Sequence, residues 1–399
     1  MKSVDRHLAE ILSTVRAPAP LELDLDQALG TTLAENVASP VALPPFDNSA
    51  MDGYAVRTQD VAGASEARPV TLPVMDDVAA GDGATYAVGR GMTARIMTGA
   101  PMPGGADAVV PVEWTDGGKV RVEIRRAPEV GYAIRRSGED VRPGQVVVPA
   151  GTRIGPAQLG ILAGVGRRRV RVVPRPRVVV MSTGSELVPP GSPLTPGKIY
   201  ESNSYMLVGA VREAGAEAFR AEAVTDDPAE FLERLEAQLV RADVVITSGG
   251  VSMGAYEPVK EALTPIGTVR FEKVAMQPGM PQGFGVVGED KVPIFCLPGN
   301  PVSSFVSFII FVRPALMKMR GLPSGPPETV EATTDRALRS PKGKTSYLRG
   351  VLSPAGVVSP VHGQGSHQLG ALAAADALIV VPEDVTEVPA GSTVRVIPL

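Results

Sequence analysis

The stretch Val178-Val179-Val180-Met181-Ser182-Thr183-Gly184-Ser185-Glu186-Leu187 decides the fold, because four apolar residues pass directly into a polar loop that contains glycine. An apolar run without alternation is typical of a strand buried on both faces of a parallel sheet. Helical patterns follow at Ser204–Ala214, which Gly215 ends, and after Asp227-Pro228. Strands that alternate with helices predict a doubly wound parallel sheet with helices on both faces.

Two more apolar strands, Asp243–Thr247 and Pro293–Leu297, belong to this sheet, and the second leads into the apolar helix Val302–Val312. Polar loops follow the strands, and such loops gather at one edge of a parallel sheet. The loops are Ser182–Leu187, Thr225–Pro228, Ser248–Gly254 with Glu257, and Leu297–Ser303. Their glycines admit a ligand close to the backbone, and N–H groups at helix starts bind oxyanions. The sequence therefore predicts a site for an anionic, phosphate-bearing ligand.

Three loop carboxylates are candidate oxygen ligands for a hard cation: Glu186, Asp226 and Glu257. Mg²⁺ takes one or two carboxylates together with waters and ligand phosphates. Asp227 can instead cap the helix that follows it, whereas Asp226 has no capping role. The alternative is that all of these are solvated loop carboxylates.

The segments on either side of the α/β region carry different patterns. Ser3–Val15 has helical spacing behind a Ser3 cap. Short β-rich runs broken by Gly and Pro between Pro40 and Pro149 predict a small all-β module. Short strands return over Glu328–Leu399 and predict a small β-barrel or sandwich.

Composition restricts the classes of function. A net charge of -4 and a pI near 5.6 argue against nucleic acid as the main partner. Cys296 is the only cysteine, so an intrachain disulfide is excluded, and three histidines disfavour a zinc site. No run reaches the roughly 18 apolar residues that cross a bilayer. Because Met1–Arg16 is charged throughout, it is no signal peptide, and we expect a cytoplasmic protein without membrane contact.

A series of motifs resembles the successive signatures of the molybdopterin molybdenumtransferase family (the MoeA and gephyrin E-domain family). They occur in the family order and span nearly the whole chain: Asp47–Ala55, Met97–Pro101, Ser182–Leu187, Ser248–Ser252, Leu297–Ser303 and Gly363–His367.

The resemblance implies a homodimer whose subunits each have four domains. The α/β molybdopterin-binding domain would be joined by an inserted β module, a discontinuous N-terminal helical domain and a C-terminal β-barrel. The implied bounds are 1–45 with 135–175 for the N-terminal domain, 46–134 for the β module, 176–326 for the α/β domain and 327–399 for the barrel.

The implied reaction takes adenylyl-molybdopterin and molybdate and yields molybdenum-molybdopterin and AMP, with Mg²⁺ as cofactor. The dithiolene sulfurs of the pterin supply the soft ligands of molybdenum, so protein cysteine is unnecessary. The resemblance also implies a transient contact with the molybdopterin adenylyltransferase that makes the pterin nucleotide.

The implied site combines residues of two subunits. Asp52, Thr98 and Asp140 of one would complete a catalytic site with Glu186, Asp226 and Glu257 of the other, and the last three would be the metal ligands. The implied substrate-binding residues are Thr183, Gly184, Ser248, Gly249, Gly250, Ser252, Pro298, Gly299, Asn300, Pro301, Ser303, Arg349 and Ser366.

The chain departs from the family pattern at the implied molybdate pocket. Gln277 and Met280 stand where the family commonly has lysines, and Glu257 stands where it usually has aspartate. Each missing charge-assisted bond would cost about 1.5–3 kcal/mol of oxyanion binding. Two other functions stay open. One is the adenylyltransferase, because its fold resembles the α/β domain; the other, which the missing lysines favour, is a molybdopterin-binding scaffold or altered paralogue without efficient molybdate insertion.

Overall fold

The computed structural model of the chain describes residues 1–81, 83–251 and 257–399. These residues form two compact units. The first unit contains Met1–Glu22, Gly30–Ala34 and Arg171–Leu399, and the second contains Leu23–Leu29 and Glu35–Val170. Each unit encloses hydrophobic clusters of its own.

The described residues contain short helices and many short strands, as the Gly and Pro content indicates. The α-helices are Val4–Thr14, Pro156–Gly164, Asn203–Glu213, Pro228–Leu239, Pro258–Leu263, Pro301–Ser307, Arg313–Met319 and Leu369–Ala373, with a π-helical segment at Phe308–Val312. The 3₁₀ turns are Leu25–Gln27, Thr58–Val61, Val112–Trp114 and Thr264–Ile266. The strands are Leu21–Asp24, Thr32–Leu33, Val37–Ala38, Asn48–Ser49, Gly53–Val56, Val70–Val78, Thr93–Ile96, Ala108–Pro111, Arg121–Ile124, Ile134–Arg135, Val146–Val148, Arg169–Val173, Arg177–Ser182, Leu187–Val188, Ile199–Tyr200, Glu217–Arg220, Val244–Ser248, Val269–Lys273, Met276–Gln277, Pro281–Val287, Val292–Leu297, Val330–Thr334, Leu338–Arg339, Thr345–Leu352, Val357–Pro360, Ala377–Val381, Glu387–Val388 and Thr393–Pro398.

A six-stranded sheet, called the central sheet below, organises the first unit. Its order is Glu217–Arg220, Arg177–Ser182, Val244–Ser248, Val292–Leu297, Pro281–Val287 and Val269–Lys273. The first four strands are parallel, as predicted, and the last two are antiparallel to their neighbours. This antiparallel edge was not predicted from the sequence.

Both faces of the central sheet are covered, as the apolar strand sequences predict. Val178 and Val180 pack into one hydrophobic cluster, whereas Val179 and Met181 of the same strand pack into another. Side chains alternate between the faces of a strand, so an uninterrupted apolar run serves a core on each side. The predicted α/β fold class is confirmed.

The N-terminal helix Val4–Thr14 begins behind Ser3, whose hydroxyl accepts the N–H of Arg6 at 3.3 Å, as predicted. The helix places His7 against Phe311 at a ring-centroid distance of 4.8 Å. The imidazole is buried, and its Nδ1 lies 3.7 Å from Glu272 Oε2, which is too long for a hydrogen bond. Burial, assisted by the charge of Lys2, lowers the pKa of His7 to about 4.

We expect this histidine to make the first unit less stable in mild acid. The unfolded chain binds a proton at His7 below its ordinary pKa of 6.5, whereas the folded chain does so only near 4. Stability therefore falls as the pH drops through this window, by about 1.4 kcal/mol per pH unit. Urea unfolding between pH 7 and 4.5 tests this, because His7→Leu should lose less stability over that range than the wild type. Equal losses in the two proteins would contradict the prediction.

One helical segment is long and apolar enough to span a membrane by length and composition. This segment, Pro301–Met319, has 19 residues and a mean hydropathy of 1.5, although three serines, Arg313 and Lys318 interrupt its apolar residues. However, 78% of it is buried inside the protein. Its side chains belong to the cluster that covers one face of the central sheet, which is the position of a core helix.

The C-terminal strands close into a five-stranded barrel, as predicted. The closed order is Thr345–Leu352, Val357–Pro360, Val330–Thr334, Thr393–Pro398 and Ala377–Val381, and the last strand pairs again with the first. The barrel interior is a separate apolar cluster that includes Ile379 and Val396.

The second unit contains the predicted β module, built around a five-stranded sheet. The order is Ala108–Pro111, Gly53–Val56, Thr93–Ile96, Val70–Val78 and Arg121–Ile124. The strands Gly53–Val56 and Ala108–Pro111 approach so closely that only glycine fits at position 53. A Cβ there would lie 2.0 Å from the carbonyl oxygen of Val110. Asp52 lies directly before the strand Gly53–Val56. The implied division into four domains stays a prediction.

Candidate functional site

A cavity of about 710 Å³ lies at the carboxyl ends of the parallel strands, where the sequence predicts a ligand site. It is lined by most of the predicted α/β residues, namely Thr183, Gly184, Glu186, Asp226, Ser248, Gly249, Gly250, Glu257, Pro298, Gly299, Asn300, Pro301 and Ser303. Ser252 lies outside the described residues. The cavity therefore brings all three predicted metal ligands to one place.

Glu186 folds back over the glycine that precedes it in the loop. A Cβ on Gly184 would lie 2.5 Å from Glu186 Oε2, so any larger residue would displace the carboxylate. Glycine at this position thus lets Glu186 turn towards its own backbone at the edge of the cavity.

Asp226 is tied to the same loop by a reciprocal pair of hydrogen bonds. The N–H of Ser185 donates to Asp226 Oδ2 at 3.0 Å, and the N–H of Asp226 donates to Ser185 Oγ at 3.2 Å. Asp227 caps the following helix, because its Oδ1 accepts the N–H of Ala229 at 2.8 Å. The neighbouring aspartates thus divide into one structural cap and one residue that lines the cavity.

Glu257 lies directly before the helix Pro258–Leu263 and is buried, with 8% of its surface exposed. Its carbonyl oxygen accepts the N–H of Glu261 at 2.9 Å, as expected at a helix start. The longer side chain in place of the family aspartate still lines the cavity.

Asn203 connects two of the loops and was missed from the sequence. Its Nδ2 donates to Ser248 Oγ at 2.8 Å and to the carbonyl oxygen of Gly299 at 2.6 Å. Because these partners lie at or just after the ends of neighbouring strands, Asn203 links Ser248 to the Gly299 turn.

Glu201, which also lines the cavity, is a buried carboxylate that the sequence analysis did not single out. Its Oε1 accepts the Ser182 hydroxyl at 2.9 Å and the Ser204 N–H at 2.7 Å, and its Oε2 accepts the Ser204 hydroxyl. Glu201 therefore joins the end of a sheet strand to the start of the helix Asn203–Glu213. A glutamate just before a helix start was the available signal.

Thr183 offers a polar atom to a ligand. Within the described part of the chain, its buried hydroxyl has no hydrogen-bond partner. A buried hydroxyl without a partner carries a desolvation cost that a bound ligand would relieve. Thr183 lines the cavity, so its hydroxyl is a candidate donor to a bound phosphate or pterin.

Arg349 and Ser366, predicted as oxyanion donors, do not line the cavity directly. Arg349 is 1% exposed, burial lowers its pKa, and its Nη2 donates to the carbonyl oxygens of Gly363 and Gly365. Ser366 accepts a hydrogen bond from Asn300 Nδ2 at 2.9 Å. Both residues thus hold the 363–367 loop, and His367 of that loop lines the cavity without having been predicted.

The other predicted catalytic residues belong to the second unit. Asp52 Oδ1 accepts the N–H of Thr98 at 2.7 Å and its hydroxyl at 2.8 Å. The Thr98 N–H, and then its hydroxyl, hold the pKa of Asp52 below its usual range. Asp140 is exposed, and its N–H donates to the carbonyl oxygen of Leu43 at 3.1 Å.

Three family models together match most of the chain. The model for the MoeA N-terminal region (domains I and II) matches residues 2–166, and that for the "Probable molybdopterin binding domain" matches 179–318. The model for the MoeA C-terminal region (domain IV) matches 331–399. Molybdopterin molybdenumtransferase 2 of Mycobacterium tuberculosis is 48% identical over 403 residues and covers 99% of each chain.

The chain belongs to the molybdopterin molybdenumtransferase family.

Further similarities extend over full lengths. Molybdopterin molybdenumtransferase 1 of Mycobacterium tuberculosis is 41% identical and covers 99% of this chain and 98% of its own. A crystal structure of a molybdopterin biosynthesis MoeA protein from Pyrococcus horikoshii matches with a TM-score of 0.83 at 33% identity, covering 99% and 98% of the two chains. This molybdopterin molybdenumtransferase family member is a transferase of molybdenum cofactor biosynthesis. The N-terminal and C-terminal matches lie outside the α/β domain, which is the part whose fold resembles the adenylyltransferase.

Proposed function

We propose that the chain uses molybdate and adenylyl-molybdopterin to form molybdenum-molybdopterin and AMP, with Mg²⁺ as cofactor. The observation that carries the proposal is the convergence of Glu186, Asp226 and Glu257 on one cavity at the sheet edge. Its volume of about 710 Å³ suits a nucleotide-sized ligand. The glycine-containing loops and the Thr183 hydroxyl supply neutral donors for the phosphates.

The carboxylates suit Mg²⁺ by their chemistry. Among the described residues, no three Asp, Glu, His or Cys side chains form a ready-made metal site. Mg²⁺ does not require one, because it commonly takes one or two carboxylates and fills its remaining positions with waters and phosphate oxygens. Glu186 and Asp226, from adjacent loops, are the proposed ligands with Glu257. When bound, Mg²⁺ would polarise the phosphoanhydride.

The residues of the chain position the substrates. Asn203 links Ser248 to the Gly299 turn, so the pterin nucleotide would meet a preformed wall at this point. Preformed donors stabilise developing charge without reorganising during the reaction. The carboxylates repel an anionic phosphoanhydride unless they hold Mg²⁺, so they would determine where in the cavity this group binds.

The active form is proposed to be a homodimer. Asp52 is exposed at the surface of its unit, and Thr98 favours its ionised form, so the carboxylate is accessible to a ligand bound by a second copy. Asp52, Thr98 and Asp140 of a second copy would complete the cavity. A transient contact with the adenylyltransferase and a cytoplasmic location belong to the same proposal, because the nucleotide substrate is made from ATP.

The proposed function is tested by incubating the purified chain with adenylyl-molybdopterin, Mg²⁺ and molybdate and measuring AMP. We expect AMP release that requires both molybdate and Mg²⁺ and that stops when EDTA is added. Pyrophosphate formation from ATP and molybdopterin would instead indicate the adenylyltransferase reaction. Tight binding of the pterin nucleotide without AMP release would indicate a scaffold.

A further inference from the structure

His367 lies in the cavity wall, on a loop of the barrel that is fastened to the central sheet. The preceding residue, Ser366, makes two hydrogen bonds to the turn after the strand Val292–Leu297. Its hydroxyl accepts from Asn300 Nδ2 at 2.9 Å, and its carbonyl oxygen accepts from the N–H of Val302 at 3.1 Å. The backbone beside His367 is therefore fixed against the turn that lines the same cavity.

The wall of the cavity is acidic. Four carboxylates line it, namely Glu186, Glu201, Asp226 and Glu257. Across residues 1–81, 83–251 and 257–399, no lysine or arginine belongs to the wall, and His367 is its one basic side chain. A tetrahedral dianion that enters this cavity is repelled by the carboxylates, so it requires a positive or strongly polar contact away from them.

The strand order separates Asp226 and Glu186 from His367. The strands that lead to Asp226, Glu186 and Glu257 are the first three of the central sheet. The fourth strand leads to Asn300, to which the His367 loop is bonded. An oxyanion next to Asn300 and His367 would therefore lie at the opposite end of the cavity from Asp226.

We propose that the imidazole of His367 contacts the tetrahedral oxyanion substrate, with Asn300 and Ser303 as further donors beside it. The amide of Asn300 has a second N–H besides the one given to Ser366, and Ser303 lines the same end of the cavity. This inference rests on the proposed function and names the residue that recognises its inorganic substrate.

The test compares three variants of the full-length chain: His367→Gln, His367→Lys and His362→Gln. His362 is an exposed histidine of the same loop that does not line the cavity, so it is the matched control. Two quantities are measured: molybdate binding by equilibrium dialysis without pterin, and the molybdate concentration that gives half-maximal AMP release. Loss of one charge-assisted contact should raise both values by about 10-fold or more in His367→Gln.

The expected results distinguish a role of His367 in molybdate binding from a structural role. His367→Gln should leave kcat at saturating molybdate within about twofold of the wild type. His367→Lys should restore tight binding, and His362→Gln should match the wild type. Equal molybdate affinities for His367→Gln and the wild type, or equal losses in both glutamine variants, would overturn the inference. Absence of AMP release with intact molybdate binding would count against the proposed function alone, whereas absence of molybdate binding to the wild type would overturn the role of His367.

Discussion

Replacement of Glu186 by glutamine is expected to lower molybdate-dependent AMP release by about 100-fold or more while leaving the fold intact. Loss of groups that only orient metal ligands typically costs 10–100-fold, so loss of a direct ligand should cost at least as much. Glutamine has nearly the same shape as glutamate, and the side chain contacts its own loop at Gly184 rather than the apolar core. The fold should therefore tolerate the change.

The measurement is the rate of AMP release at several Mg²⁺ concentrations. If Glu186 helps to hold the cation, the Mg²⁺ concentration for half-maximal rate should rise in Glu186→Gln, and high Mg²⁺ should recover part of the lost activity. Glu222→Gln is the matched control, because Glu222 is an exposed glutamate at the same end of the sheet that does not line the cavity. Unchanged turnover in Glu186→Gln would remove the residue from the mechanism.

The gathering of the carboxylates was predictable because it follows from topology. Glu186 and Asp226 are 40 residues apart in the chain, yet both follow strands that are adjacent in the sheet. The apolar run at 178–181 identified a buried parallel strand, and the ends of parallel strands meet at one edge. The prediction that Glu186 and Asp226 line one cavity therefore required no knowledge of individual side-chain contacts.

The antiparallel edge of the central sheet was not predictable in this way. The strand Pro281–Val287 begins with proline and contains Gly283 and Gly285, and these residue types normally weaken or end a strand. The pairing with Val269–Lys273 overrides this local preference. Tertiary contacts that oppose local propensity leave no signal in a single sequence.

The role of Arg349 depends on the closed barrel and could not be predicted from the sequence either. The family resemblance implies a donor to molybdate, whereas the structure shows a side chain 1% exposed that donates to the carbonyl oxygens of Gly363 and Gly365. A surface arginine and a buried one have the same sequence signature. Only the pairing of Thr345–Leu352 with Ala377–Val381 places this residue inside.

Replacement of Glu201 by leucine is expected to destabilise the first unit by about 3 kcal/mol or more. The change leaves the hydroxyls of Ser182 and Ser204 and the N–H of Ser204 without their acceptor, and both serines are buried. Each buried donor that loses its partner costs about 1–3 kcal/mol. Glu201→Gln keeps one acceptor oxygen and should lose clearly less.

Hydrogen exchange and tryptophan emission can locate this effect within the chain. Amides of Arg177–Ser182 and Val244–Ser248 should exchange faster in Glu201→Leu than in Glu201→Gln, because the end of the first strand loses its link to the helix Asn203–Glu213. Trp114 is the only tryptophan and belongs to the second unit, so the denaturant midpoint of its emission should not move. Equal exchange rates in the leucine and glutamine variants would mean that the carboxylate does not hold the strand to the helix. A shifted Trp114 midpoint would mean that the loss of stability is not confined to the first unit.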